Sequence, residues 1–308
     1  MRGVLGYGWL VLFLAATLAA GCSPDDAPAG LPVQAQNNIT YATRGATTLK
    51  LDLVAPKEGG PYPAIVLLHG GAWCVGDRSD LSRPGKDKSG ARTPAVIEQF
   101  ATRGYVVASV SYRLAPKSKF PAQLADVRTA IRFLRANAKT YNVDPDQIAV
   151  GGFSAGAHLA LLAGLADKSP EFDGPDFPDQ SNRVRCVLSY FGPTDLSLYA
   201  ASAGLEDAYM VPLLGKECRT DPEVYRRASP IQHVSRDDPP VMMIHGTADV
   251  IVPIIHSERL LDKLHDNGVT AELVTMKGEG HGEWRPSVSA KSTREAIRFL
   301  DQHLKGKK

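Results

Sequence analysis

Gly152-Phe153-Ser154-Ala155-Gly156 sets a serine between two glycines, each two residues away. The apolar run Ile148–Val150 comes just before it, and an Ala- and Leu-rich stretch of helical character, Ala155–Ala166, follows. A sharp strand-to-helix turn at this point would expose the hydroxyl on a strained backbone, next to a helix N-terminus that favours negative charge. A serine hydroxyl is a weak nucleophile until a neighbouring base takes its proton. The candidate base is His281, flanked by glycines in Gly278-Glu279-Gly280-His281-Gly282. The candidate acid is Asp249, in His245-Gly246-Thr247-Ala248-Asp249, beyond the apolar run Val241–Ile244. In this arrangement the aspartate orients and charge-stabilises the imidazole, which shuttles the proton. Asp195, after the run Val187–Phe191, is the rival acid, while His158 and His245 read as structural.

Acyl transfer also needs donors aimed at the oxyanion of a tetrahedral intermediate. His69-Gly70-Gly71-Ala72-Trp73 follows the apolar run Ala64–Leu68, and its glycines allow the chain to turn amides inward. The donors are assigned to the backbone N–H groups of Gly71, Ala72 and Ala155, with Gly70 shaping the turn. No metal-ligand cluster, nucleotide loop or cofactor motif is recognisable, so neither a metal nor a cofactor is expected.

These motifs need a scaffold. Leu49, Leu51 and Leu53 alternate with polar residues, the period of a strand with one buried face. Ala64–Leu68 and Tyr105–Val110 are short apolar runs, as in strands buried on both faces. Pro121 opens a helix with Leu124, Val127, Ile131 and Leu134 on one side, and a last helix carries Ala296, Ile297, Leu300 and Leu304. Strand and helix in turn predict an α/β fold with a mainly parallel sheet covered on both faces. Both candidate triad loops and the serine turn then lie beyond the C-terminal ends of strands, where open α/β sheets build their sites.

Composition narrows the function classes. The 35 basic and 33 acidic side chains leave a formal charge of +2, without massed cations, so no nucleic-acid partner is expected. Arg2, the apolar run Val4–Ala20 and the small residues before Cys22 have the order of an export signal. Leu18-Ala19-Ala20-Gly21-Cys22 resembles the lipobox of bacterial lipoproteins, with Ala19 where a large aliphatic residue is usual. The resulting expectation is a signal peptide over 1–21, lipidation of Cys22, attachment to a membrane surface and an exported location. Residues 22–38, rich in Ser, Pro, Asp, Ala and Gln, read as a flexible tether, and 39–308 as one catalytic domain. Of the other three cysteines, Cys74, Cys186 and Cys218, an oxidising compartment permits one pair and leaves one thiol.

From about Thr48 onward the chain resembles the hormone-sensitive-lipase-related esterases, especially their compact bacterial branch, which includes acetyl-xylan and feruloyl esterases. The resemblance rests on His69–Trp73, Ser111-Tyr112-Arg113-Leu114-Ala115-Pro116 with Phe120-Pro121-Ala122, and Gly152–His158. It continues through Gly192-Pro193-Thr194-Asp195, His245–Asp249 and Gly280–Gly282. It implies the α/β-hydrolase fold, an acyl-serine mechanism and a tie from Asp126 to the oxyanion or nucleophile loop. Little chain precedes His69, so no large N-terminal cap is expected. The insertion Asp77–Thr93 reads as a solvated loop or part of the rim, and Leu196–Pro240 is long enough for a small lid. The expected function is a short-acyl carboxylesterase acting on a small-molecule or carbohydrate ester. The alternatives are an amidase or peptidase of the same fold, and a non-catalytic binding protein built on it.

Overall fold

The computed structural model describes residues 30–306 apart from 87–89, 91 and 202. The signal-like run, the lipobox-like segment ending at Cys22 and the first part of the proposed tether lie outside the described residues. Among the described residues no helix is long and apolar enough to cross a membrane.

In chain order the main elements are β1 (Val33–Arg44), β2 (Thr47–Pro56), β3 (Tyr62–Leu68), α1 (Val96–Ala101), β4 (Val106–Val110) and α2 (Ala122–Ala136). They continue with β5 (Val143–Phe153), α3 (Ala155–Leu165), β6 (Val187–Tyr190), β7 (Val241–Gly246), α4 (Ile255–Asp266), β8 (Ala271–Met276) and α5 (Pro286–Leu300). The eight strands form one sheet in the order β1-β2-β4-β3-β5-β6-β7-β8. β1–β2 and β2–β4 pair antiparallel, and every other neighbouring pair is parallel.

The strands' side-chain alternation divides the interior into two cores. From β3, Ala64, Val66 and Leu68 point to the core packed by α2, α3 and α4 through Leu124, Val127, Ile131, Leu159, Leu162, Leu260 and Leu264. Ile65 and Leu67 point to the opposite core, where α1 and α5 contribute Ile97, Phe100, Ala296 and Phe299. Continuous apolar strand sequences follow from this double burial.

β1 is a departure from the sequence reading. It takes in Val33–Asn38, which composition places in the tether, so ordered chain begins before the expected boundary at residue 39. The strand is an edge, mostly exposed, with a register shift between Gln36 and Ile39. Its Gln and Asn side chains face water while backbone pairing with β2 holds it, so little apolar pattern is required. Just before β1, Leu31 N–H donates to the Thr102 carbonyl and Lys57 N–H to that of Pro32. This fixes the entering chain beside the N-terminal end of β4, at the edge of the sheet opposite the serine turn.

Candidate active site

Ser154 follows β5 directly and caps α3 with φ +52° and ψ −118°, outside the usual regions for a side-chain-bearing residue. The strain is held by Ser154 N–H donating to the Tyr190 carbonyl (2.9 Å) and His158 N–H donating to the Ser154 carbonyl (3.0 Å). The flanking glycines are sterically required. A Cβ on Gly156 would lie 2.3 Å from the Leu68 carbonyl oxygen, and one on Gly152 2.5 Å from the Gly156 carbonyl carbon.

The structure joins the three sequence candidates in one hydrogen-bonded line. Ser154 Oγ lies 2.8 Å from His281 Nε2, and His281 Nδ1 lies 2.7 Å from Asp249 Oδ2. With Nδ1–H donating to the carboxylate, Nε2 is left to accept the serine proton. The other carboxylate oxygen, Oδ1, accepts from the amides of Ile251 and Val252, both at 2.9 Å. Burial alone would raise the Asp249 carboxyl, but the imidazoles of His245 and His281 and the Val252 amide outweigh it and hold it well below the usual carboxylate range. The rival Asp195 is occupied elsewhere: its Oδ1 accepts from Ser197 N–H and Oγ–H.

The His281 loop is locked from behind. Buried Glu279 pairs with Arg285, Trp284 Nε1 donates to the Gly280 carbonyl (2.8 Å), and Phe191 packs edge-on to His281 at 4.8 Å. Ala248 N–H donates to the Glu279 carbonyl (2.9 Å), binding the acid loop to the histidine loop. The two backbones touch at Gly246, where a Cβ would lie 2.2 Å from the Glu279 carbonyl oxygen.

The His69–Trp73 loop turns through left-handed backbone at Gly71 (φ +104°), Ala72 (+49°) and Trp73 (+60°). Among the described residues the amides of Gly71, Ala72 and Ala155 donate to no protein acceptor. Three neighbours keep the loop in place. Tyr112 Oη donates to the His69 carbonyl (2.9 Å), and its ring stacks on His69 at 4.3 Å. Ala115 N–H donates to the Trp73 carbonyl (2.9 Å), and Trp73 Nε1 donates to His158 Nδ1 (3.1 Å). His158 in turn gives its Nε2–H to the Ala228 carbonyl (2.7 Å), and burial pushes its pKa down to about 4, so it is a neutral strut.

Asp126 acts on this loop at one remove. Its carboxylate accepts from Arg113 N–H (2.9 Å), Nε (2.8 Å) and Nη2 (2.7 Å), fixing the 111–116 strip that carries Tyr112 and Ala115. It is therefore tied neither to the oxyanion loop nor to the serine turn directly. Among the described residues Cys74, Cys186 and Cys218 are free thiols, with Cys186 buried in a core.

Ser154 and His281 open onto a cavity of about 560 Å³. Gly70–Trp73 form one side, and Gly76, Asp80 and Leu81 extend it, which puts the start of the 77–93 insertion on the rim. Tyr199, Tyr209 and Met210, from the short helical turns after β6, build a facing wall with Ile251 and Val252. Beside that wall, Val250 is 85% exposed. Tyr199, Tyr209 and Met210 fall in the Leu196–Pro240 segment read as long enough for a small lid, although no periodicity singles them out. Among the described residues no group of three or more His, Cys, Asp or Glu side chains is placed to hold a metal ion.

The BD-FAE family model matches residues 51–264, well over half of the chain. The chain belongs to the BD-FAE family. This bears out the resemblance to hormone-sensitive-lipase-related esterases read from the motifs. The BD-FAE chain is 34% identical over 229 residues to esterase LipC of Mycobacterium tuberculosis, covering 72% of this chain and 53% of LipC. It is 28% identical over 295 residues to the isoprenylcysteine alpha-carbonyl methylesterase ICME of Arabidopsis thaliana, covering 90% and 64%. This chain thus spans only about half the length of LipC. Among solved structures, a truncated carbohydrate esterase from gut microbiota superposes with a TM-score of 0.74 at 27% identity, covering 88% of this chain and 96% of that one. Esterase 2 of the planctomycete Thermogutta terrifontis, with propionate bound, gives 0.69 at 26% identity, covering 89% and 94%. The fold is that of the α/β-hydrolases.

Proposed function

We propose that this BD-FAE chain is a serine carboxylesterase that cleaves short-acyl esters, carbohydrate esters among them, through an acyl-enzyme. The observation that carries the reading is the line Ser154–His281–Asp249, at 2.8 and 2.7 Å, opening onto a cavity walled mainly by apolar side chains. His281 Nε2 takes the proton as Ser154 Oγ attacks the ester carbonyl. The oxyanion accepts from the unpaired amides of Gly71, Ala72 and Ala155, which are already fixed before charge develops. Collapse of the intermediate sends the proton from His281 to the leaving alcohol. Water, deprotonated by the same imidazole, then releases the acid. The esterase names of the relatives and the propionate in the Thermogutta enzyme support ester hydrolysis and a small acyl group.

The test is hydrolysis of p-nitrophenyl acetate, butyrate and octanoate by the chain and by its Ser154→Ala variant. Turnover should fall from acetate to octanoate and vanish in the variant, and a dialkyl phosphoryl ester should label Ser154 in mass spectra. A Ser154→Ala protein with undiminished turnover would sink the reading. Export with a lipid on Cys22 belongs to the same proposal and rests on the order of residues 2–22 alone. Cys22→Ala should move the protein from the membrane fraction to the soluble one, and unchanged partition would count against it.

A further inference from the structure

His245 sits near the end of β7, fully buried, with all its polar contacts on the acid side of the site. Its Nε2 is 2.8 Å from the Val252 carbonyl and 3.4 Å from Asp249 Oδ2. Both are acceptors, so Nε2 carries the proton and shares it between them, mainly toward Val252. Nδ1 lies 2.7 Å from Ser257 Oγ in the first turn of α4 and accepts a hydrogen bond from its hydroxyl. A closed circuit results. Asp249 Oδ1 receives the Val252 amide, and the Val252 carbonyl receives His245, which is held by Ser257.

From this circuit we infer that His245 is a positioning residue for the acid of the triad: it clamps the 249–252 turn and supplies a second N–H to the carboxylate oxygen that holds His281. The inference rests on the proposed serine mechanism and deepens it. The groups that face this cluster are few. Asp249 and His281 come from the loops, Tyr199 from the turn after β6, and His256 from α4 with Asp195 and Arg259 behind it. Without the His245 proton, the Asp249 charge bears more fully on His281. Its imidazolium is then better stabilised, and the acidic limb of kcat/KM moves to higher pH. The freed turn also lets the carboxylate tilt against the imidazole, so His281 is aimed less well at Ser154 and kcat falls.

The experiment compares His245→Phe, which removes both ring nitrogens, with His245→Gln, whose amide can still donate toward Val252 and Asp249. On p-nitrophenyl acetate, His245→Phe should lose about tenfold in kcat with KM little changed, and its acidic limb should rise. His245→Gln should recover most of the rate and the original limb. Should His245→Phe fail to fold by thermal melting, Ser257→Ala takes its place. Without the hydroxyl the proton stays on Nε2, but the ring is no longer held, so its donation to Asp249 weakens and the limb should shift the same way. An unmoved limb with unchanged kcat in His245→Phe, or in Ser257→Ala if it stands in, overturns the inference. So does a His245→Gln no better than His245→Phe. A Ser154→Ala control separates the two levels. If that variant stays active, the serine mechanism itself fails. If it is dead while the His245 variants match the parent, only the role of His245 fails.

Discussion

Gly246→Ala is a single-methyl perturbation whose effect can be worked from the structure. The new Cβ would start 2.2 Å from the Glu279 carbonyl oxygen and 2.7 Å from the Gly280 carbonyl oxygen. Ordinary carbon–oxygen contact needs about 1 Å more, and both partners are backbone, so no side chain can swing away. The end of β7 carries Asp249 three residues on, and Glu279 and Gly280 immediately precede His281. The methyl therefore pushes the acid loop and the base loop apart by about 1 Å. A misplacement of that size costs on the order of 100-fold in rate, and the overpacking costs about 1–3 kcal/mol of stability. Initial rates on p-nitrophenyl acetate, with urea midpoints, measure both. The matched control is Gly280→Ala, one residue from His281, where a Cβ meets nothing within 4 Å. That variant should keep near-parental kcat. If Gly246→Ala keeps kcat within threefold, or Gly280→Ala is the more damaged of the two, the reasoning from backbone contact is refuted.

Two further outcomes follow from the same geometry. Trp73→Phe removes the N–H given to His158 Nδ1 and leaves that buried acceptor unpaired. The expected cost is about 1–3 kcal/mol in urea unfolding, with a fall in kcat as the oxyanion loop loosens. Burial holds His158 and His256 at pKa values of about 4, below the 6.5 of an exposed imidazole, so the unfolded chain binds their protons first. Their stabilisation is complete above about pH 6.5 and is lost as pH falls toward 4. Urea midpoints should therefore drop between pH 7 and 4.5, and a flat profile there would contradict the burial of these rings.

The elements most legible in the sequence are those whose residues answer to burial on both sides. Ala64–Leu68 and Tyr105–Val110 can only be interior strands, and α2 shows its core face at Leu124, Val127, Ile131 and Leu134. The serine turn was readable because glycine is forced at 152 and 156 by contact between backbones. β1 was not readable, because an exposed edge strand held by main-chain pairing leaves Gln34, Gln36 and Asn38 free to be polar. In the sequence His245 reads as structural, because its link to Asp249 and Val252 exists only once the chain after β7 folds back on itself. Tyr199, Tyr209 and Met210 reach the cavity from loop turns, where no period marks which side chain faces inward. The family resemblance implies a tie from Asp126 to the oxyanion or nucleophile loop, but a buried carboxylate takes the strongest donor set within reach, and Arg113 offers three N–H groups at once.

The chain enters the fold at Leu31 and Pro32, fastened to Thr102 and Lys57, while Ser154, Asp249 and His281 all leave strands at the opposite edge. The length of the strands thus separates the point of entry from the mouth of the cavity. A sensor chip that grips the protein at Gly30 holds it by the end away from the mouth. Esters on bulky polymers then have free approach, because the point of attachment and the cavity lie at opposite ends of the strands. Immobilised through that end, the protein should hydrolyse large esters as readily as it does in solution. Fastened instead by a cysteine introduced at Val250, beside the cavity, it should lose the large esters first.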